Sequence, residues 1–343
     1  MTPISDLSSL AQLSALAQTL PTIDSAARTA AENRQAILTK PLGALGDLEE
    51  IALFMAGWRS SPTPEINHAQ AIVFAGNHGI CAQGVNPFPQ EVTAQMVANF
   101  QAGGAAINQL CKATGADLDV IALDLDTPTA DFSTGPAMSE GEVMDAIKQG
   151  AAAVPDNADI LILGEMGIGN STTSAALACG AFGSTGQDWV GPGTGSDAAG
   201  RALKAFVVDK GVALHSGVKG LNLLVAFGGR EQAAICGAVI AARLKRIPVL
   251  LDGYICTAAV ASLFDDSPVW LDHCLVAHLS REPGHAKLLA AMHKTPILTL
   301  NMALGEGSGA ALALGIVRAA LACHNGMATF EQAGVANAET DDV

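Results

Sequence analysis

The stretch Asp159–Thr173, DILILGEMGIGNSTT, constrains the fold more than any other part of this chain. Ile160, Leu161, Ile162 and Leu163 form an unbroken apolar run, the pattern of a strand buried on both faces. The run breaks at once into Gly164-Glu165-Met166-Gly167-Ile168-Gly169-Asn170, and an alanine-rich helical run starts at Ser174. Glycines let a backbone approach a ligand closely and take up positive φ. Free N–H groups at a helix start suit a phosphate. A carboxylate inside such a turn repels phosphate, so Glu165 is expected to face a sugar hydroxyl or a developing positive charge. Neither common nucleotide loop is present. Asn170 stands where a P-loop needs lysine, and the glycines run G-x-x-G-x-G instead of G-x-G-x-x-G. A tight turn without a ligand would use the same glycines. The Glu, Asn, Ser and Thr groups beside them favour a site.

The same alternation recurs along the chain. Apolar runs at Ala71–Ala75, Leu118–Leu123, Leu223–Phe227, Pro248–Leu251 and Leu271–His278 read as further strands. Helical stretches separate them, among them Gln95–Thr114, Thr172–Gly180, Arg230–Leu244 and Cys256–Leu263. Short apolar strands alternating with helices imply an α/β fold, an open parallel sheet with helices on both faces, Rossmann-like and three-layered. The runs end in Gly76-Asn77-His78-Gly79, Gly164–Gly167, Gly228–Glu231, Asp252-Gly253-Tyr254 and Ser280–His285. Ligands of such sheets bind beyond the carboxyl ends of the strands, so these polar, glycine-containing ends are expected to converge on one cleft. Before the sheet, residues 5–20 and 24–38 read as amphipathic helices, with Ser5 and Asp24 as N-caps. Ser60–Pro64 reads as a linker, and the acidic tail Ala338–Val343 is expected to fray.

Composition narrows the function classes. The net charge of −15 argues against nucleic acid as a partner. The seven cysteines include no CxxC pair, which suits reduced thiols and not a disulfide framework. The first twenty residues lack a basic n-region and an unbroken apolar core, and no apolar run is long enough to span a membrane. A cytoplasmic protein is expected.

Seven motifs, in order, carry a resemblance. They are GNHGI (76–80), PFPQEVTAQMVANF (87–100), GEMGIGNSTTSAAL (164–177), VGPGTG (190–195), PVLLDGYICTAAVASL (248–263), HLSREPGH (278–285) and LGEGSGAALAL (304–314). With KPLGALGDLE (40–49), they make the chain resemble the nicotinate-nucleotide–dimethylbenzimidazole phosphoribosyltransferases of cobalamin nucleotide-loop assembly. The resemblance implies transfer of the 5-phosphoribosyl group of nicotinate mononucleotide to a benzimidazole-type base, releasing nicotinate with inversion at the anomeric carbon. It implies a small helical domain built from residues 1–65 and 301–343 and a large α/β domain, 66–300, carrying the active site. It also implies a homodimer, with no cofactor and no metal, since the pyridinium of the donor is already a good leaving group.

Residue by residue, the resemblance makes Glu306 the catalytic base that takes the acceptor's N–H proton, and Glu165 the second functional carboxylate, beside the ribose. A glutamate at a helix start can also serve only the helix dipole, and Glu165 could merely tie down its loop. The motif match assigns phosphate and ribose binding to Gly167, Asn170, Ser171, Gly193, Lys204, Ser280 and Gly284, with Arg281 and Arg230 as second choices. It assigns base binding to Asn77, Phe88, Met96 and Leu304. Here the chain departs from the family pattern: Phe88 and Met96 stand where a Ser and a Gln are usual, and Asn77 replaces an aspartate. Two other readings remain at this point: a transferase with the same donor site but another acceptor, a purine, a phenolic base or water, the last making it a nucleotide hydrolase, and a nucleotide sensor that binds the donor without turnover.

Overall fold

The computed structural model describes residues 3–336, so the acidic tail Ala338–Val343 lies outside the described residues. Six strands build one sheet: β1 (Ala69–Ala75), β2 (Ala116–Ala122), β3 (Ile160–Met166), β4 (Val249–Leu251), β5 (Cys274–His278) and β6 (Pro296–Leu298). Their order is β2-β1-β3-β4-β5-β6, and every neighbouring pair is parallel. The open parallel sheet with covering helices is the α/β architecture implied by the sequence. The chain leaves β1 outward to β2, then returns to the other side of β1 for β3. The order therefore reverses between β1 and β3, where such sheets open a crevice at their carboxyl edge. Register places Val73 opposite Gly164 and Leu163 opposite Leu251.

Ala and Gly abundance has a packing reason. Helix Arg230–Leu244 is buried along nearly its whole length. It meets helix Glu140–Ala152 so closely that a Cβ on Gly150 would collide with the Ala234 carbonyl, and one on Gly237 with the Ile147 carbonyl. Ala175, Ala176 and Ala178 are fully buried on helix Asn170–Phe182. Small side chains bring helix backbones close together, and Trp189, Trp270, Phe132 and Phe227 fill the wider gaps.

Local departures from the sequence reading have local causes. Leu223–Phe227 is not a strand but most of a helix, Asn222–Phe227. A short, wholly apolar run carries no period to tell the two apart. The stretch Gln95–Thr114 is split into helices Glu91–Gln101 and Ala106–Thr114 by Gly103, at φ +79°, and Gly104. The first helix is short, Leu10–Ala15, and is capped by Ser9, not Ser5. Asp24 caps helix Ser25–Ile37 by accepting the N–H of Ala27.

Two compact units divide the chain. The first takes in the chain up to Pro21 together with His68–Ala313. It holds the whole sheet and the main core cluster. Residues up to Pro21 group here, and not with the helical part, because Ile4, Leu7, Leu10, Leu13 and Leu16 are buried in that cluster. Residues 301–313 also group here, tied to β4 through Asp252, as described below. The second unit takes in Thr22–Asn67 and the chain from Leu314 on. Helices Ser25–Ile37 and Asp47–Trp58 pack there around Ala31, Leu53 and Ala56. Gly57 makes room for the Ile23 side chain, and Lys40 pairs with Glu49 at 2.8 Å, both largely buried. Among the described residues, no helix is long and apolar enough to cross a membrane.

Candidate active site

The carboxyl ends of β3, β4 and β5, with the segment after β6, enclose a cleft of about 790 Å3, its open mouth included. Glu165–Ser171 line it from β3, Asp252–Ile255 from β4, His278, Ser280 and Glu282 from β5, and Ala303–Glu306 from the segment after β6. Three of the expected turns thus meet. The turn after β1 lies beneath the glycine loop: a Cβ on Gly167 would meet the Gly76 carbonyl at 2.6 Å and His78 Nε2 at 2.9 Å. Gly228–Glu231 joins two helices instead of ending a strand. Its Glu231 is fully buried and pairs with His78 at 2.9 Å.

Three carboxylates gather on one side of the cleft. Glu165 ends β3, is buried, and accepts a short hydrogen bond from the Asn170 side chain. Burial, followed by the charges of Asp252 and Glu231, pushes its carboxyl well above the ordinary glutamate value. Asp252 follows β4 and accepts the N–H of Ala310 at 2.8 Å and of Gly307 at 3.3 Å. It thereby satisfies N–H groups at the start of helix Ser308–Gly326 and ties the Gly305-Glu306-Gly307 turn to the sheet. Burial pushes the Asp252 carboxyl up to about 7, against the pull of those backbone donors. Glu306 is held at φ +65° between Gly305 at +84° and Gly307 at +83°. A non-glycine residue in the left-handed region is disfavoured and persists where its surroundings fix it. Burial, with the Asp252 charge adding to it, raises the Glu306 carboxyl to about 7. A carboxylate of that strength is half-ionised near neutrality, as a general base requires.

Positive charge lies along a different part of the lining. Lys204, on helix Ala198–Leu214, is buried, and its Nζ donates to Ser171 Oγ at 3.2 Å. Burial lowers its pKa, and the Glu282 charge opposes that shift. Gly193, at φ +52°, closes the same corner: a Cβ there would lie 2.9 Å from Ser171 Oγ and 3.0 Å from Lys204 Nζ. Ser171 also lies in the first turn of helix Asn170–Phe182. A buried ammonium, a hydroxyl and the N-terminus of a helix together suit an anion.

Of the residues singled out from sequence, Glu306, Glu165, Gly167, Asn170, Ser171, Gly193, Lys204, Ser280 and Leu304 all line the cleft. Gly284, Asn77, Phe88 and Met96 do not. Gly284 is a spacer, where a Cβ would meet the Trp189 carbonyl at 2.6 Å. Asn77 is turned away, donating to the Leu125 carbonyl at 2.9 Å. Phe88 is 46% exposed, and the cleft is lined by its neighbours Asn86 and Pro87. Arg230 bonds the Thr127 carbonyl and Glu142, and Arg281 is exposed. His278, Asn86 and Pro87 are further lining residues, and Tyr254 and Glu282 line the cleft from turns expected there, although sequence reasoning assigned none of the five a role. Glu282 and His278 stood inside HLSREPGH and were the most accessible to it. Among the described residues, no group of three His, Cys, Asp or Glu is placed to hold a metal ion.

Comparison with known proteins places nearly the whole chain among phosphoribosyltransferases. A family model described as phosphoribosyltransferase matches residues 20–335. The chain is 62% identical over 329 residues to the nicotinate-nucleotide–dimethylbenzimidazole phosphoribosyltransferase of Rhodobacter capsulatus, covering 96% of this chain and 98% of that protein. It is 52% identical over 326 residues to the enzyme of the same name from Rhizobium meliloti, covering 94% and 96%. The crystal structure of the enzyme of that name from Thermus thermophilus matches with a TM-score of 0.85 at 36% identity, covering 92% of this chain and 100% of that one.

Proposed function

The chain belongs to the nicotinate-nucleotide–dimethylbenzimidazole phosphoribosyltransferase family, and from that premise we propose that it transfers phosphoribose from nicotinate mononucleotide to 5,6-dimethylbenzimidazole or a similar base, with Glu306 as general base. The product is α-ribazole 5′-phosphate, a step of cobalamin biosynthesis. The phosphate lies at Ser171, Gly193, Lys204 and Ser280, with the helix N-terminus behind it. Glu165 faces the ribose. The flat acceptor packs among Pro87, Met166 and Leu304, cleft residues whose apolar surfaces suit an aromatic ring.

Electrons and protons balance without a further reactant. The acceptor's bare ring nitrogen attacks the anomeric carbon as the nicotinate ring leaves with the bonding pair and becomes neutral. The acceptor's other nitrogen then carries a proton it must lose, and Glu306 accepts it. An oxygen of the Glu165 carboxyl group, negative in partial charge, stabilises the oxocarbenium character that develops at the sugar. A well-placed base contributes roughly 10²–10⁴-fold.

One observation carries the reading: Glu306, held in a disfavoured backbone conformation at the cleft, has its carboxyl near neutrality. The test is a product assay with nicotinate mononucleotide and 5,6-dimethylbenzimidazole, followed by chromatography and mass spectrometry, with adenine and no-acceptor controls. Equal release of nicotinate and the α-riboside supports transfer. Nicotinate without a new riboside would make the protein a hydrolase, and binding without turnover a sensor. A homodimer belongs to the same proposal and is read from the mass in solution.

A further inference from the structure

The anion corner of the cleft also holds a carboxylate that the transfer does not use. Glu282 lines the cleft and is only 8% exposed. Its Oε1 accepts the N–H of Gly193 at 2.9 Å. Its Oε2 is buried with no hydrogen-bond donor among the described residues, and it lies where a Cβ on Gly191 would collide with it. Its own N–H donates to Ser280 Oγ at 3.3 Å. The charged and titratable groups around it are few. Lys204 and Arg281 both stabilise its negative charge. Tyr254 feels that charge, but its hydroxyl stays protonated and donates to the Trp189 carbonyl. His285, whose N–H donates to the Glu282 carbonyl, is kept neutral by burial.

Glu282 thus holds the Gly193 N–H and is stabilised by the charge of Lys204, two groups that a phosphate at this corner needs. A phosphate dianion and a carboxylate cannot both keep their charge in so small a buried space, because like charges raise each other's proton affinity. We propose that Glu282 competes with the donor's phosphate for Gly193 and Lys204, so that nicotinate mononucleotide binds together with one proton taken up by the Glu282 carboxyl. The proton comes from solvent, forms one O–H bond on Glu282, and returns to solvent when the phosphorylated product leaves. Protonation also gives the carboxyl a donor of its own, where Oε2 now has no partner. Burial already raises its pKa, which acts in the same direction. On release, the restored carboxylate retakes the Gly193 N–H and helps expel the product. The inference rests on the donor-site reading above.

The test is calorimetry on the full chain, titrating nicotinate mononucleotide in two buffers of different ionisation enthalpy. It is done above pH 7, where the ligand's phosphate, with a second pKa of about 6, is already a dianion. The expected result is uptake of close to one proton with the nucleotide and none with nicotinate riboside, which lacks the phosphate. Nucleotide affinity should fall with rising pH, approaching tenfold per pH unit. In Glu282→Gln the uptake should vanish and that pH dependence flatten. Nucleotide binding without uptake, or the same uptake in Glu282→Gln, overturns the inference and leaves the donor site standing. Failure of the nucleotide to bind the wild-type protein overturns both.

Discussion

Gly164 lies flush against the backbone of Glu306: a Cβ at Gly164 would sit 2.6 Å from the Glu306 carbonyl carbon and oxygen. The contact joins the end of β3, which carries Glu165, to the turn that carries Glu306. Gly164→Ala should push that turn away from the strand. Overpacking of this kind costs roughly 1–3 kcal/mol, and a displacement of about 1 Å at a reacting group can cost on the order of 10²-fold in rate. The expected outcome is a folded protein, by circular dichroism, with slightly lower thermal stability and kcat reduced about 100-fold. Unchanged kcat would show that Glu306 is not positioned through this contact.

Glu306 must be ionised to accept a proton. With its carboxyl near 7, kcat should rise with pH through about 7 and then level off. Glu306→Gln keeps the shape and removes the base, so turnover should drop by roughly 10²–10⁴-fold while nicotinate mononucleotide still binds. Rates recorded across the pH range for both proteins check this. A folded variant with wild-type turnover would remove Glu306 from the mechanism.

Lys204 is expected to act on binding more than on the chemical step. Removing its charge-assisted contact to phosphate is worth about 1.5–3 kcal/mol, or on the order of 10–100-fold. Lys204→Met should raise KM for the nucleotide by that factor and move kcat much less. Gly193→Ala should act similarly, because its Cβ would lie 3.0 Å from Lys204 Nζ. A kcat effect larger than the KM effect in Lys204→Met would place Lys204 at the sugar instead.

The strands were legible where the apolar pattern was long or bounded. β1, β3 and β4 fall on continuous apolar runs that end in glycine or aspartate turns. β6 was not, since Pro296–Leu298 is three half-buried residues with no period to read. Leu223–Phe227 gave the opposite error, a short apolar run buried as a helix. The glycine loop and the turn around Glu306 were readable because their chemistry is local in sequence. Phe88 and Met96 do not line the cleft, because the path of the chain after β1 brings Asn86 and Pro87 there instead. Glu282 was hidden for a related reason. Its meaning comes from Gly193, eighty-nine residues away in sequence.

Asp252 permits a test that separates electrostatics from packing. Its carboxyl is raised from 3.8 to about 7 in the folded protein. A carboxyl raised on folding binds its proton more tightly in the folded state. Its contribution to stability is therefore full below the unfolded value and is lost as pH rises through about 7. Buried His273 and His285 have lowered values and act in the opposite sense, losing stability as pH falls below the ordinary histidine range. The wild-type curve alone therefore mixes the two effects, and the informative quantity is the difference between wild type and Asp252→Asn. That variant keeps an oxygen to accept the Ala310 N–H but gives up the titration. Its stability deficit should be larger near pH 5 and shrink toward pH 8. The same substitution removes the charge beside Glu306, so the acid limb of its kcat profile should move down from about 7 toward the ordinary glutamate value. Denaturant melts and rate profiles on one preparation test both. A deficit independent of pH, with an unmoved acid limb, would leave Asp252 as a helix cap with no electrostatic hold on Glu306.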